Sequence, residues 1–228
     1  IGSGKSVLVM MLAGLYEPDE GEIYFRHKRL SWPFAAQSLK IGVIHQRPTL
    51  ADQLDVVSNI FLGNEIGWPK GLGDFKILDY DRMNRESIHI LAQLGLEIGS
   101  LQVKISNLSI EQRQMIAIAR VLTYPVRMVI VDEPTVLLSY PNQQRLLSLI
   151  QTWKQQGVAV LFSSNNLDHL FAVTDRIIVL HKMHKVADLR TDETTREAVV
   201  SLLLGSAEAH PSAPVSYTHL TLPTKRIV

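Results

Sequence analysis

Apolar and polar positions along the chain fall into two periods that alternate. VLVMMLAGL (Val7 to Leu15) is apolar on every side and predicts a buried helix, ended by Glu17-Pro18. GEIYF (Gly21 to Phe25) predicts a short strand. IGVIH (Ile41 to His45) predicts a strand that passes into a loop at Gln46. LDVVSNIFLG (Leu54 to Gly63) has helical spacing, GWPKGLGD (Gly67 to Asp74) reads as a loop, and Asp81 to Leu94 as an amphipathic helix. Ile105 to Leu122 contains a further helix. RMVIVDE (Arg127 to Glu133) is a strand buried on both faces that ends in two acids. Pro141 to Gln156 is helical, and VAVLF (Val158 to Phe162) and RIIVL (Arg176 to Leu180) are strands. Thr194-x-x-Glu197 has the spacing of a capping box that opens a last helix through Leu204. Short apolar strands alternating with helices imply an α/β fold with a parallel sheet. Residues 54–122 hold no expected strand and read as a helical insertion.

Composition narrows the classes. A chain of 228 residues that is 46% apolar can bury a sizeable core in one or two domains. A net charge of +1 provides no field to recruit nucleic acid or a membrane surface. Cysteine is absent, which excludes disulfides and thiolate metal sites. The longest uncharged apolar stretch, Ser6 to Tyr16, is well short of the roughly 20 residues that span a bilayer. Any membrane role is therefore expected to run through a membrane partner. Residues 208–228 are expected to form no part of the fold. Their stretch VSYTHLTLPT resembles the translation of a transposon-end sequencing adapter, and the alternative is a disordered natural tail.

The chemistry starts at IGSGKS. A phosphate loop reads G-x-x-x-x-G-K-[ST], and Gly4-Lys5-Ser6 matches its end, with Gly2 and Ser3 inside the loop. The first glycine of the pattern would precede Ile1, so the chain is expected to begin inside the loop. Glycines let backbone N–H groups converge on phosphate oxygens, and the next helix turns its positive N-terminus to the same anion. Lys5 would reach the phosphates, and the Ser6 hydroxyl would ligate Mg²⁺. A Gly-Ser linker would look similar, but a linker is not followed at once by an apolar helix. Asp132 and Glu133 stand at the carboxyl end of a buried strand, where parallel sheets bind ligands. Asp132 can hold Mg²⁺ through water, and Glu133 can deprotonate an attacking water.

With these motifs in this order, the chain resembles the nucleotide-binding subunit of ATP-binding-cassette (ABC) transporters from Ile1 to about Gly205. The resemblance implies a P-loop NTPase core with a parallel sheet and a helical subdomain, the first strands missing. It implies one domain over residues 1–207, with the helical subdomain at about 54–122. Gln46 matches the glutamine that touches Mg²⁺ and the attacking water. LSIEQRQ (Leu108 to Gln114) matches the signature stretch, through which Ser109 and Gln112 would serve ATP on an opposite subunit. Asn165 takes the place of a switch histidine. ATP and Mg²⁺ are the implied ligands. The implied partners are transmembrane permease subunits, a second nucleotide-binding subunit and, indirectly, a sugar-binding protein, with no nucleic acid. The implied location is the cytoplasmic face of the membrane. LDVVSNIFLGNE, FAVTDRIIVL and TTREAVVSLLLG look most like subunits that power monosaccharide importers.

Three sites depart from that family: the signature, the switch position and the loop after Glu133. Ile110 and Glu111 replace the two glycines of the signature, and Glu111 is expected to set a negative charge beside the opposite subunit's phosphate. Asn165 can donate a hydrogen bond but cannot relay a proton. Thr135 to Asn142 lacks the aspartate usual in that loop. Ser109 and Gln112 nonetheless keep an S-x-x-Q capping box. His169 is expected to face away from the site. His27, His45, His89, His181 and His184 show no metal-ligand spacing and read as surface or structural. Two main readings stay open, an active transport ATPase and a degenerate subunit that binds ATP for a partner. A non-transport ABC protein is the third.

Overall fold

The structure is a computed structural model that describes residues 3–68 and 77–205. In chain order the elements are α1 (Lys5–Leu12), β1 (Tyr24–Phe25), β2 (Lys28–Arg29), β3 (Ile41–Ile44), α2 (Val56–Ile60), β4 (Gly67–Trp68), β5 (Ile77–Leu78) and α3 (Tyr80–Gln93). They continue with α4 (Ile110–Val121), β6 (Met128–Asp132), α5 (Tyr140–Gln155), β7 (Ala159–Ser163), α6 (Leu167–Val173), β8 (Arg176–His181), β9 (His184–Arg190) and α7 (Arg196–Leu204). The chain divides into two units, one of residues 1–41 with 162–228 and one of residues 42–161.

The second unit is built on the parallel sheet, in strand order β3-β6-β7. Its central strand β6 carries Val129, Ile130 and Val131, all fully buried, as its unbroken apolar run requires. Each such side chain contributes about 1.5–3 kcal/mol on burial. α2, α3 and α4 pack on one another as a helical layer. The start of each is fixed by a local acceptor: Asp55 Oδ1 takes the Ser58 N–H at 2.7 Å, Asp79 Oδ1 the Arg82 N–H at 3.0 Å, and Ser109 Oγ the Gln112 N–H at 3.1 Å. β3 lies close to α4, since a side chain at Gly42 would meet Val121 Cγ1 at 2.5 Å.

In the first unit the β8–β9 hairpin packs against α7 and α6. Ile177, Val179 and Val199 form the buried centre, with Leu170, Phe171 and Leu202 around them. Arg196 sits 5.5 Å above the Phe171 ring and pairs with Asp168 at 2.8 Å.

Several expectations need correction. α1 was expected to be buried, yet Val9 is its one fully buried residue and Val7 and Leu8 are exposed. A run that is apolar on every side carries no period to select a buried face. The last helix is capped by Thr195, whose Oγ1 accepts the Ala198 N–H at 3.3 Å, one residue later than the capping-box spacing suggests. Residues 54–122 contain a hairpin of two-residue strands, β4 with β5. The sequence pattern also omits β2 and β9. Both are reached by two-residue turns with positive φ, Arg26-His27 at 51° and 63° and Lys182-Met183 at 47° and 65°. Such turns usually signal themselves by Asn or Gly, and neither is present here. Most of the loop at 67–74 and all of the tail after 205 lie outside the described residues.

Candidate functional site

In the first unit the phosphate-loop residues stand at the start of α1. Gly4 precedes α1 with φ 87°, in the left-handed region that favours glycine, and Met183 at the hairpin tip lies within 4 Å of where a side chain on Gly4 would stand. Lys5 is the first residue of α1. Its Nζ donates to Asn165 Oδ1 at 3.2 Å and to Ser3 Oγ at 3.4 Å. The phosphate-loop lysine and the switch-position asparagine, 160 residues apart in sequence, are thus brought together. Ser6 is exposed on the first turn. Gly2 lies outside the described residues. His169 is buried on α6, with its Nε2 3.3 Å from Asn166 Nδ2.

In the second unit the acidic residues stand at the end of β6. β3 and β6 are neighbouring parallel strands, so Gln46 just beyond β3 and Asp132-Glu133 at the end of β6 share one edge of the sheet. Asp132 is 5% exposed, and its Oδ1 is buried with no hydrogen-bond partner among the described residues. Burying an unpartnered carboxylate oxygen is costly, and a cation would satisfy it. Glu133 adopts φ 42°, ψ 42°, a left-handed conformation that is unfavourable for a non-glycine residue and concentrates at functional positions. Gln46 is exposed.

His45 is held below its ordinary pKa by burial, while the Asp132 carboxylate pulls it up. It is therefore neutral in the folded state near neutrality. Its contribution is present above the unfolded value of about 6.5 and lost as pH falls toward its lower folded value. The urea midpoint should accordingly drop between about pH 7.5 and pH 5.5, and His45→Gln should make that drop smaller.

The signature stretch starts α4 as expected. Ser109 Oγ accepts the Gln112 N–H at 3.1 Å, and Gln112 Oε1 accepts the Ser109 N–H at 3.0 Å, a complete capping box. Glu111 is a different matter. Its Oε1 accepts from Ser139 N–H at 2.7 Å, Ser139 Oγ at 2.5 Å and Asn142 Nδ2 at 2.7 Å. These bonds hold the carboxyl below its usual range. The charge expected beside an opposite subunit's phosphate is engaged by donors of its own chain.

Two positioning residues were missed. Gln114, fully buried on α4, donates from Nε2 to the His45 carbonyl at 3.0 Å, the residue before Gln46. Arg120 donates to the Thr49 carbonyl at 3.0 Å and the Asn59 carbonyl at 2.9 Å. α4 thereby fixes the loop that carries Gln46. The signal available was a polar residue on the apolar face of IEQRQMIAIARV.

Residues 1–136 match the family model described as ABC transporter. The chain belongs to the ABC transporter family. Among its curated relatives, the cassette is 36% identical over 206 residues to the Ribose import ATP-binding protein RbsA 3 of Rhizobium etli, covering 90% of this chain and 39% of that protein. It is 36% identical over 211 residues to the Ribose import ATP-binding protein RbsA of Geobacillus kaustophilus, covering 90% and 41%. The corresponding protein of Clostridium tetani is 32% identical over 206 residues, covering 90% and 40%. The chain thus spans about two fifths of the length of these relatives. Two solved structures share the fold at 22% identity. The dimeric bacterial ABC transporter cassette MJ0796 superposes with a TM-score of 0.71, covering 84% of this chain and 82% of that one. The ADP conformation of the cassette MJ1267 superposes with a TM-score of 0.65, covering 89% and 80%. Among the described residues, no helix of the cassette is long and apolar enough to cross a membrane.

Proposed function

We propose that this cassette binds and hydrolyses ATP with Mg²⁺ to power a sugar importer. It would act as one of two nucleotide-binding modules docked on permease subunits at the cytoplasmic face of the membrane. The observation that carries the chemistry is the end of β6, where Asp132 keeps a buried oxygen with no partner among the described residues, beside a left-handed Glu133. The sugar comes from the ribose-import names of relatives that match 90% of the chain. The oxygen donors Ser6, Gln46 and Asp132 suit Mg²⁺, which would neutralise phosphate charge when bound. Lys5 would leave Asn165 for the terminal phosphates, and the loop backbone with the N-terminus of α1 would hold the anion. Asn165 would donate its amide hydrogen to the γ-phosphate. Glu133 would accept the proton of the water that attacks phosphorus, and ADP would leave with inorganic phosphate as the second product.

Uptake into vesicles that carry the protein with its permease tests this. ATP-driven uptake of labelled ribose or another monosaccharide, lost with Glu133→Gln, is the expected result. ATP hydrolysis with no sugar taken up would remove the substrate and leave the chemistry. A second reading, a subunit that binds ATP for an active partner, is favoured by Asn165 and Ile110. Under it the protein binds ATP and releases phosphate only when a second, different cassette is added.

A further inference from the structure

The signature stretch of this chain is tied to the loop after the acidic strand end, and the tie is Glu111. Three donors converge on Glu111 Oε1: the N–H and hydroxyl of Ser139 and the amide of Asn142. Ser139 is the N-cap residue of α5; its hydroxyl donates to Glu111, and its side chain accepts no bond from the first turn of α5 among the described residues. The first turn of α5 contains no acid. The negative charge favourable at a helix N-terminus is therefore supplied by another helix. The contact extends on both sides. Arg145 Nη1 donates to Asn142 Oδ1 at 2.7 Å, which orients the amide toward Glu111. Gln143 Nε2 donates to the carbonyls of Thr135 at 3.1 Å and Leu138 at 2.8 Å, which fastens the loop after Glu133 to the same first turn of α5. At the other end Glu111 follows Ile110 in the first turn of α4, directly beside the Ser109–Gln112 capping box.

We propose that Glu111 is a positioning residue that pins the N-terminus of α5 to the N-terminus of α4, and so sets the spacing between the signature stretch and the loop that begins at Glu133. Glycine at this position has no side chain to make the link. With the carboxylate turned to Ser139 and Asn142, Ile110, 52% exposed, is an outward apolar side chain of the stretch. The pin rests on the ATP-turnover reading for its effect on rate, but its existence can be read without turnover.

Two variants of the full protein test it, Glu111→Ala and the exchange pair Glu111→Gln with Asn142→Asp. In the pair, the new amide at 111 can donate to the new carboxylate at 142, and the acid then stands in the first turn of α5 itself. Glu111→Ala should lower kcat about ten-fold with KM for ATP changed less than about two-fold, and the pair should recover most of the loss. Hydrogen exchange at the Ser139 amide should quicken by about ten-fold in Glu111→Ala and slow again in the pair. A kcat for Glu111→Ala at or above the parent's, or Ser139 exchange that does not change, overturns the pin. If the parent itself turns over no ATP, the proposed function fails on that result, and Ser139 exchange alone decides the pin.

Discussion

Glu133→Gln will lower steady-state phosphate release by about 10²- to 10⁴-fold, the range that a positioned general base contributes, and leave ATP affinity within a few-fold of the parent. The amide has nearly the same shape, so the left-handed backbone at the end of β6 and the loop after it should persist. It cannot accept a proton from water at neutral pH. Binding and hydrolysis should therefore separate, with ATP titration unchanged in form and turnover removed. Thermal unfolding of the two proteins, compared without nucleotide, guards against a trivial cause. A Tm within a few degrees is expected, because Glu133 is half-buried rather than in the core. Turnover equal to the parent's would mean that another group takes the proton.

Lys5→Ala will weaken ATP binding by about ten- to a hundred-fold, since each hydrogen bond to a charged group contributes roughly 1.5–3 kcal/mol. Without nucleotide the ammonium is held by Asn165 and Ser3, at 3.2 and 3.4 Å. Exchanging these neutral partners for anionic phosphate oxygens is the favourable step, because charge-assisted bonds are the stronger ones. The loss should be larger for ATP than for AMP, which lacks the β and γ phosphates. Calorimetric titration of the three adenine nucleotides against parent and variant checks the order. Lys5→Arg should recover only part of the affinity, as the wider guanidinium does not replace a compact ammonium in a glycine loop.

How much of this was legible in the sequence depended on how far apart the partners lie. MVIVDE announced both a buried strand and its acidic end, because a continuous apolar run broken by two acids has few other meanings in an α/β chain. The Ser109–Gln112 box was legible for a similar reason, since donor and acceptor are three residues apart. The Lys5–Asn165 contact spans 160 residues, and Glu111 finds Ser139 and Asn142 28 and 31 residues downstream. No local pattern states where such a side chain turns, and charge alone suggested that Glu111 faces outward. Gln114 was hidden because a glutamine suits either face of a helix. The two hairpin turns were hidden because Arg26-His27 and Lys182-Met183 adopt φ values that sequence signals reserve for Gly and Asn. The family, by contrast, was carried by motif order, which needs no geometry.

We propose that Asp132 holds Mg²⁺ at the nucleotide site. Titration of a fluorescent ATP analogue, with and without Mg²⁺, into the parent and into Asp132→Ala tests it most directly. The parent should bind about ten-fold or more tightly with Mg²⁺ than without, and Asp132→Ala should bind alike in both conditions. Equal affinity with and without Mg²⁺ in the parent, or a Mg²⁺ gain that survives Asp132→Ala, would contradict it.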